Sequence, residues 1–281
     1  MLRKLFILAL LPLAMVWAHD FTDEQVINYH NRTSNDQMAL VPLIAGGFFD
    51  GAQKVLDVGC GDGKITAQLA KQFPEITFVG CDISKAMIAF ASKTYPARDY
   101  PNLIFIEKDG SDLGYENEFD RVICLSALHW ISDQKVALES FYTALKPQGR
   151  VYIQATPKSS NNDFKTISMK VILSFKWVSH FLNFKSSHSF HSERDYRKIL
   201  KGVGFSIDRM EQKNEELVFQ DRPALETFLK AVLSPIAHLP QNKRNSFLSD
   251  YYEELVSYGS VDDQNRVHIR FDELELELSK S

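Results

Sequence analysis

Cysteine is scarce in this chain, with three in 281 residues, at Cys60, Cys81 and Cys124. Three thiols without regular spacing exclude a disulfide scaffold, and each sits in or beside an apolar stretch, as small buried packing residues do. An excess of positive charge is also missing. Lys and Arg number 32 against 36 Asp and Glu, a formal net charge of −4. That gives no electrostatic reason to expect a nucleic acid as the partner. No internal repeat or low-complexity segment stands out. No uncharged apolar run reaches the ~20 residues that a membrane-spanning helix needs. What remains is an ordinary globular composition, 44% hydrophobic and 24% charged. It suits one large domain, or a domain with a sizeable insertion.

The longest apolar run lies at the start. Arg3 and Lys4 precede an uncharged stretch from Leu5 to Ala18, which closes on Val16-Trp17-Ala18. This reads as a secretory signal peptide over 1–18, cut after Ala18, with residues 19–281 as the mature domain. The protein is then secreted or periplasmic, and cytoplasmic if the signal does not function. No stable membrane span is expected after cleavage. The cysteine usage points the other way, towards a reducing compartment.

From residue 53 to 155, apolar strands alternate with helical periods. "KVLDV", "ITFVGCD", "NLIFIEKD", "FDRVICLS" and "RVYIQA" read as five strands. Ile65, Leu69 and Phe73 recur at helical spacing, and Ser84 stands where a helix N-cap would. Residues 133–145 form a helix that stops before Pro147 and Gly149. Strands and helices in this rhythm imply right-handed crossovers and a parallel sheet. After residue 156 the rhythm changes. Ile167, Val171, Phe175, Val178 and Leu182 predict a helical cap over 162–184, inserted where a strand would otherwise follow. Ser192 and Asp195 form a capping box. "FSIDRMEQKNEELVF" predicts two strands around a Lys-Asn turn. Helices near 222–234 and 241–257 precede a last strand, "VHIRF".

The densest signal is "VLDVGCGDG", residues 55–63. Asp57 ends an apolar run, and Gly59, Gly61 and Gly63 follow at a spacing of two. In an open parallel sheet, ligands bind beyond the carboxyl ends of the strands, and a loop without Cβ atoms lets a ligand approach its backbone. A dinucleotide loop would place its third glycine at position 64, which is Lys64. An acid at position 57 sits poorly beside a pyrophosphate and suits a ligand with a cationic amino group, which points towards S-adenosylmethionine. Asp82 ends the second strand, where a carboxylate can accept from ribose hydroxyls, and Asp109 ends the third, where it or its backbone can meet an adenine amino group.

With "GCDIS", "FDRVICLSALHW" and "LKPQGRVYI" following in order, the chain resembles the class I S-adenosylmethionine-dependent methyltransferases over about residues 25–210. Gln148 departs from the family's "KPGG" turn. The resemblance implies an α/β, Rossmann-like, seven-stranded, mostly parallel sheet with helices on both faces, a C-terminal antiparallel hairpin and a helical cap insertion near 160–190. It implies S-adenosylmethionine as methyl donor, held by Asp57, Gly59, Cys60, Gly61, Asp82, Ile83, Asp109, Gly110 and Leu125. "LHW" at 128–130 is similar more narrowly to the juvenile hormone acid and trans-aconitate methyltransferases, which methylate carboxylates of small molecules. That likeness makes Gln37 and Trp130 the residues that orient an acceptor carboxylate.

A carboxylate, with a reference pKa near ~4, is already ionised at neutral pH and needs no general base. Catalysis is then alignment and exclusion of water. Neutral N–H donors such as Gln37 and Trp130 suit that work. A second possibility is a hydroxyl, amine or carbon acceptor with His129 as base. A third is a non-catalytic S-adenosylmethionine-binding protein, and a dinucleotide oxidoreductase is the remotest. His180, His188 and His191 have no zinc-type spacing and no cysteine beside them, so no metal is expected.

Overall fold

The computed structural model describes residues 22–32, 41, 44, 46–186 and 188–281. The expected signal peptide, residues 1–18, and Gln37 lie outside the described residues. Seven strands form one sheet: β1 (Lys54–Val58), β2 (Thr77–Asp82), β3 (Leu103–Glu107), β4 (Phe119–Leu125), β5 (Leu145–Ala155), β6 (Phe205–Phe219) and β7 (Val267–Lys280). Their order is β3-β2-β1-β4-β5-β7-β6. Pairing is parallel from β3 through β5, while β7 runs antiparallel to both β5 and β6. The order in which strands are added reverses between the parallel neighbours β1 and β4, the position at which an α/β sheet opens a crevice.

Helices cover both faces. On one, α4 (Gln134–Ala144) and α6 (Glu193–Val203) bury Leu138, Phe141, Tyr196 and Leu200 against Leu56, Val122 and Ile153. On the other, α2 (Lys64–Gln72) sets Leu69 and Ala70 against Val55, Phe78 and Tyr152, and Ser84 caps α3 (Lys85–Thr94) by accepting from the Met87 N–H. Helix α1 (Asp23–Arg32) packs against α3 and against α7 (Arg222–Val232). The capping box of Ser192 and Asp195 is present. Gln148 turns with φ 65°, so a glutamine accepts the left-handed conformation at the turn inside β5.

Two elements differ from expectation. Residues 205–219 are one strand. Lys213 and Asn214 lie inside the β6–β7 ladder, opposite Glu273 and Asp272. A two-residue hairpin turn needs positive φ, and neither residue is glycine. The antiparallel hairpin is β6 with β7, and α7, α8 (Ser234–His238) and α9 (Gln241–Tyr258) are inserted between its arms. The cap also departs from one long helix. Asn162 caps α5 (Asp163–Ile172), which is followed by a turn and a short 3-10 stretch, Val178–His180. Ile167 and Val171 are buried as the stripe predicts, but Phe175, Val178 and Leu182 are exposed. Trp177 and Phe181 take the buried places instead, packed with Leu225, Phe247 and Tyr251. The indole of Trp177 donates to Asp250 at 2.5 Å. The cap is therefore a third core shared by α5, the following turn and α7–α9.

Candidate functional site

The loop after β1 is shaped by its own neighbours before any ligand is considered. Gly59, Gly61 and Gly63 have φ of 75°, 54° and 76°, the region L side chains avoid. A Cβ on Gly59 would meet the Ala127 Cβ at 2.3 Å, and one on Gly63 would meet the Phe105 ring at 2.5 Å. Only at Gly61 does space open, with the nearest atom on Tyr29 at 3.9 Å. Two of the three glycines therefore answer to packing inside the protein, and one to the cavity. The loop is braced by the Gly59 and Cys60 N–H groups, which donate to the Cys81 carbonyl. The Gly61 N–H donates to Asp82 Oδ2 at 3.0 Å. Asp82 Oδ1 accepts from the Ser84 N–H at 2.8 Å.

Above this loop lies a cavity of about 910 Å³. Gly59, Gly61, Asp82 and Ile83 line it beside Asp109 and Gly110. Leu125 and Trp130 line it from the end of β4. The strand ends and the turn after β4 thus bring eight of the expected site residues to one cavity. Asp57 and Cys60 do not line it. Asp57 is buried beneath the loop, where the Thr66 hydroxyl donates to its carboxylate at 2.6 Å. Burial is the main reason its carboxyl is pushed up to about 7, against the Thr66 bond, with Asp82 adding repulsion. Burial likewise pushes the Cys60 thiol up, with Asp57 and Asp82 adding to it.

Helix α1 closes one side. His30 Nδ1 lies 2.7 Å from Asp62 Oδ2, and Lys64 Nζ donates to the His30 carbonyl at 2.9 Å. Lys64, which breaks the dinucleotide pattern, thus ties α1 to the loop, and Tyr29 of that helix reaches the cavity.

The far end is aromatic. His129 and Trp130 sit on a single 3-10 turn, Leu128–Trp130. The His188 ring lies 4.0 Å from the Trp130 ring, and Phe190 stacks on His188 at 5.6 Å. The strand of chain that carries them is held by the Ser189 N–H on the His129 carbonyl and by Gln134 Nε2 on the Ser189 carbonyl. Burial drives His129 down to about 3, with His188 adding to it, and His188 down to about 4, so both imidazoles are neutral at pH 7. The Trp130 indole N–H has no protein acceptor among the described residues, and no buried side-chain nitrogen or oxygen there lacks a partner. The N–H is therefore accessible to solvent, on a side chain that lines the cavity.

The expectations from sequence omitted a polar wall built from the end of β4, β5 and β7. The Ser126 hydroxyl meets Gln154 Oε1 at 2.9 Å, and Gln154 hydrogen-bonds Glu273, whose carboxyl burial pushes up to about 7. His188, Gln154 and Glu273 come from remote segments, and no local motif marks them. Among the described residues, no group of three His, Cys, Asp or Glu is placed to hold a metal ion.

The donor set of this wall fits S-adenosylmethionine. Carboxylates stand at two strand ends, a glycine backbone opens to the cavity, and Ile83, Met87 and Leu125 supply apolar sides for a flat ring. Comparison with known proteins agrees. A family described as "Methyltransferase domain" matches residues 55–149. The juvenile hormone acid O-methyltransferase of Bombyx mori is 30% identical over 207 residues, 71% of this chain and 73% of that protein. The Drosophila melanogaster enzyme of the same name is 28% identical over 232 residues, 79% and 77% of the two chains. Among solved structures, phosphoethanolamine N-methyltransferase 2 of Haemonchus contortus, in complex with S-adenosyl-L-methionine, aligns with a TM-score of 0.62 at 20% identity. It covers 96% of this chain and 61% of that one, and shows the shared fold. The chain belongs to the S-adenosylmethionine-dependent methyltransferases, the family of the two insect relatives. It is an enzyme whose methyl donor is S-adenosylmethionine.

Proposed function

We propose that this methyltransferase acts on the carboxylate of a small molecule. The observation that carries the reading is the pairing at the acceptor end: an accessible indole N–H without a protein acceptor on a cavity-lining side chain, beside a histidine too weakly basic to take a proton. A base with a pKa of about 3 is protonated to a negligible extent near neutrality and drives little proton transfer. An acceptor that is already ionised needs none. The two juvenile hormone acid O-methyltransferases support the same substrate class.

The cofactor, when bound, supplies a methyl group on a sulfonium, which an anionic oxygen can take by in-line displacement. The chain's own contribution is placement. Asp82, held at the cavity by the Gly61 and Ser84 N–H groups, is the carboxylate placed to meet a ribose-like diol. Asp109 is pinned by the Ser111 N–H and hydroxyl, at 2.8 and 2.7 Å, at the adenine side. Asp57 acts from beneath the loop, through its field and its bond to Thr66. Trp130 donates to one carboxylate oxygen and turns the other towards the methyl. His188, packed against Trp130 at a tilt of 51°, limits the movement of the indole. Gln37 is the proposed second donor. Met169, Ile172 and Phe228 surround the acceptor's apolar body and keep water away. Ordering of this kind lowers barriers by roughly 7–11 kcal/mol in favourable cases.

Glu273 favours a second reading. A half-buried carboxyl that titrates near 7 on the cavity wall could hold a cationic amine or deprotonate a hydroxyl. The test is transfer of labelled methyl to fatty acids and tricarboxylates, with matched alcohols and amines. Acids as acceptors, with turnover lowered by Trp130→Phe and unaffected by Glu273→Gln, support the first reading. Amines or alcohols as acceptors, with turnover abolished by Glu273→Gln, replace it with the second.

A further inference from the structure

The stretch between Asp163 and Glu193 carries four lysines, at 165, 170, 176 and 185, and no acid, in a chain whose net charge is −4. The same stretch displays large apolar side chains to solvent. Phe175 is 100% exposed, Leu182 76%, Leu173 64% and Met169 45%. These are not scattered surface residues. They lie on α5, on the turn that follows it and just beyond the short 3-10 stretch, a segment anchored from below by the buried Trp177 and its bond to Asp250.

Lys170 and Lys176 pair with Glu254 and Asp250 on α9, both at 2.7 Å, which fixes their stems beside the apolar tips. Lys165 and Lys185 have no acidic partner among the described residues. Allowing for the two acids, the patch keeps an excess of positive charge. Its shape also matters. A fully exposed phenylalanine on a turn is a protruding tip, not the floor of a groove. Tips of this kind, ringed by lysines, suit a surface that deforms around them and carries negative charge.

We propose that this face of the cap docks on an anionic lipid surface, with Leu173, Phe175 and Leu182 entering the headgroup boundary and the lysines meeting lipid phosphates and carboxylates. The same segment borders the cavity through Lys165, Met169, Ile172 and Phe184. Docking would therefore hold the acceptor end of the cavity against the membrane, and an apolar acceptor could pass from lipid to enzyme without crossing bulk water. The inference does not depend on which group of the acceptor is methylated.

The test is co-sedimentation of the full chain with phosphatidylcholine vesicles, with and without about 30% phosphatidylserine. The wild type, Phe175→Ser/Leu182→Ser and Lys165→Gln/Lys185→Gln are compared, and the residues before the cap are the same in all three. The expected result is binding to the anionic vesicles that weakens with salt, falls at least about tenfold in the apolar variant and loses its anionic preference in the lysine variant. Thermal melts should coincide, because the substituted side chains are exposed. Equal sedimentation of the wild type and the apolar variant, or none by the wild type, would overturn the proposal. So would a lipid-free dimer that the apolar variant dissolves, which would make the face a contact between copies.

Discussion

The loop at 59–63 and the cap at 163–184 approach one cavity from opposite sides and are built in opposite ways. The loop is made of backbone. Three positive-φ glycines, a carboxylate braced by two N–H groups and two close approaches leave almost no choice of residue. The cap is made of side chains. Its core is a set of apolar contacts from four separated segments, and many residues of similar volume could satisfy them. A wall that holds an unvarying ligand can be rigid and locally encoded. A wall that selects an acceptor is free to vary.

Substitutions in the loop should break this comparison first. Gly63→Ala would force a Cβ to 2.5 Å from Phe105 at φ 76°, and should destabilise the fold by roughly 3–5 kcal/mol. Gly61→Ala, with open space but φ 54°, should cost only about 1–2 kcal/mol. Chemical denaturation of both variants gives the difference. Equal costs would mean that packing does not decide the glycine at 63.

Asp82→Ala comes next. It leaves the Gly61 and Ser84 N–H groups without their acceptor and removes a cavity carboxylate. Calorimetric affinity for S-adenosylhomocysteine should fall about 100-fold, the loss expected if Asp82 makes two charge-assisted hydrogen bonds to the ligand at roughly 1.5 kcal/mol each.

The aromatic end has a pH signature that the loop opposes. His129 has its pKa lowered to about 3, so between pH 6.5 and 3 the unfolded chain binds more protons than the native one. Wild-type stability from this residue is complete above 6.5 and is lost as pH falls. The slope is up to about 1.4 kcal/mol per pH unit. In His129→Gln the decline should be shallower by that amount, as urea melts at pH 6.5 and 5.5 would show. Asp57, raised to about 7, acts in the opposite direction, with stability lost as pH rises from 4 to 7. It is common to both proteins and cancels in the difference.

The smallest effect expected is the most specific. Trp130→Phe keeps the ring but loses one neutral donor. Acceptor kcat/KM should fall about five- to tenfold, while S-adenosylhomocysteine affinity stays within about twofold. A matching loss of cofactor affinity would show that the two ends are not separable.

The parallel sheet, the capped helices and the glycine loop with its strand-end acids were legible because their causes are local. An apolar run, a capping serine or an acid at a strand end acts through residues a few positions away. The cap was legible only up to Ile172. Beyond it the periodic stripe of Phe175, Val178 and Leu182 continues in the sequence, yet the chain leaves the helix and buries Trp177 and Phe181. Helix α9, about 70 residues further on, supplies the partners that make this arrangement the better one. The 205–219 stretch was misread for a similar reason. A Lys-Asn pair resembles a turn until a strand more than 50 residues away offers a ladder.

The sequence by itself therefore determined the alternation of strand and helix, the left-handed loop with its acids, and the methyltransferase family. These rest on backbone sterics and on side chains that act on their immediate neighbours. Only the tertiary structure decided that Asp57 lies beneath the cavity, that His188 packs against Trp130, that Glu273 joins the wall, and that the cap shows its apolar tips to the outside. Each of these depends on burial and on partners brought from distant parts of the chain, which no local pattern contains.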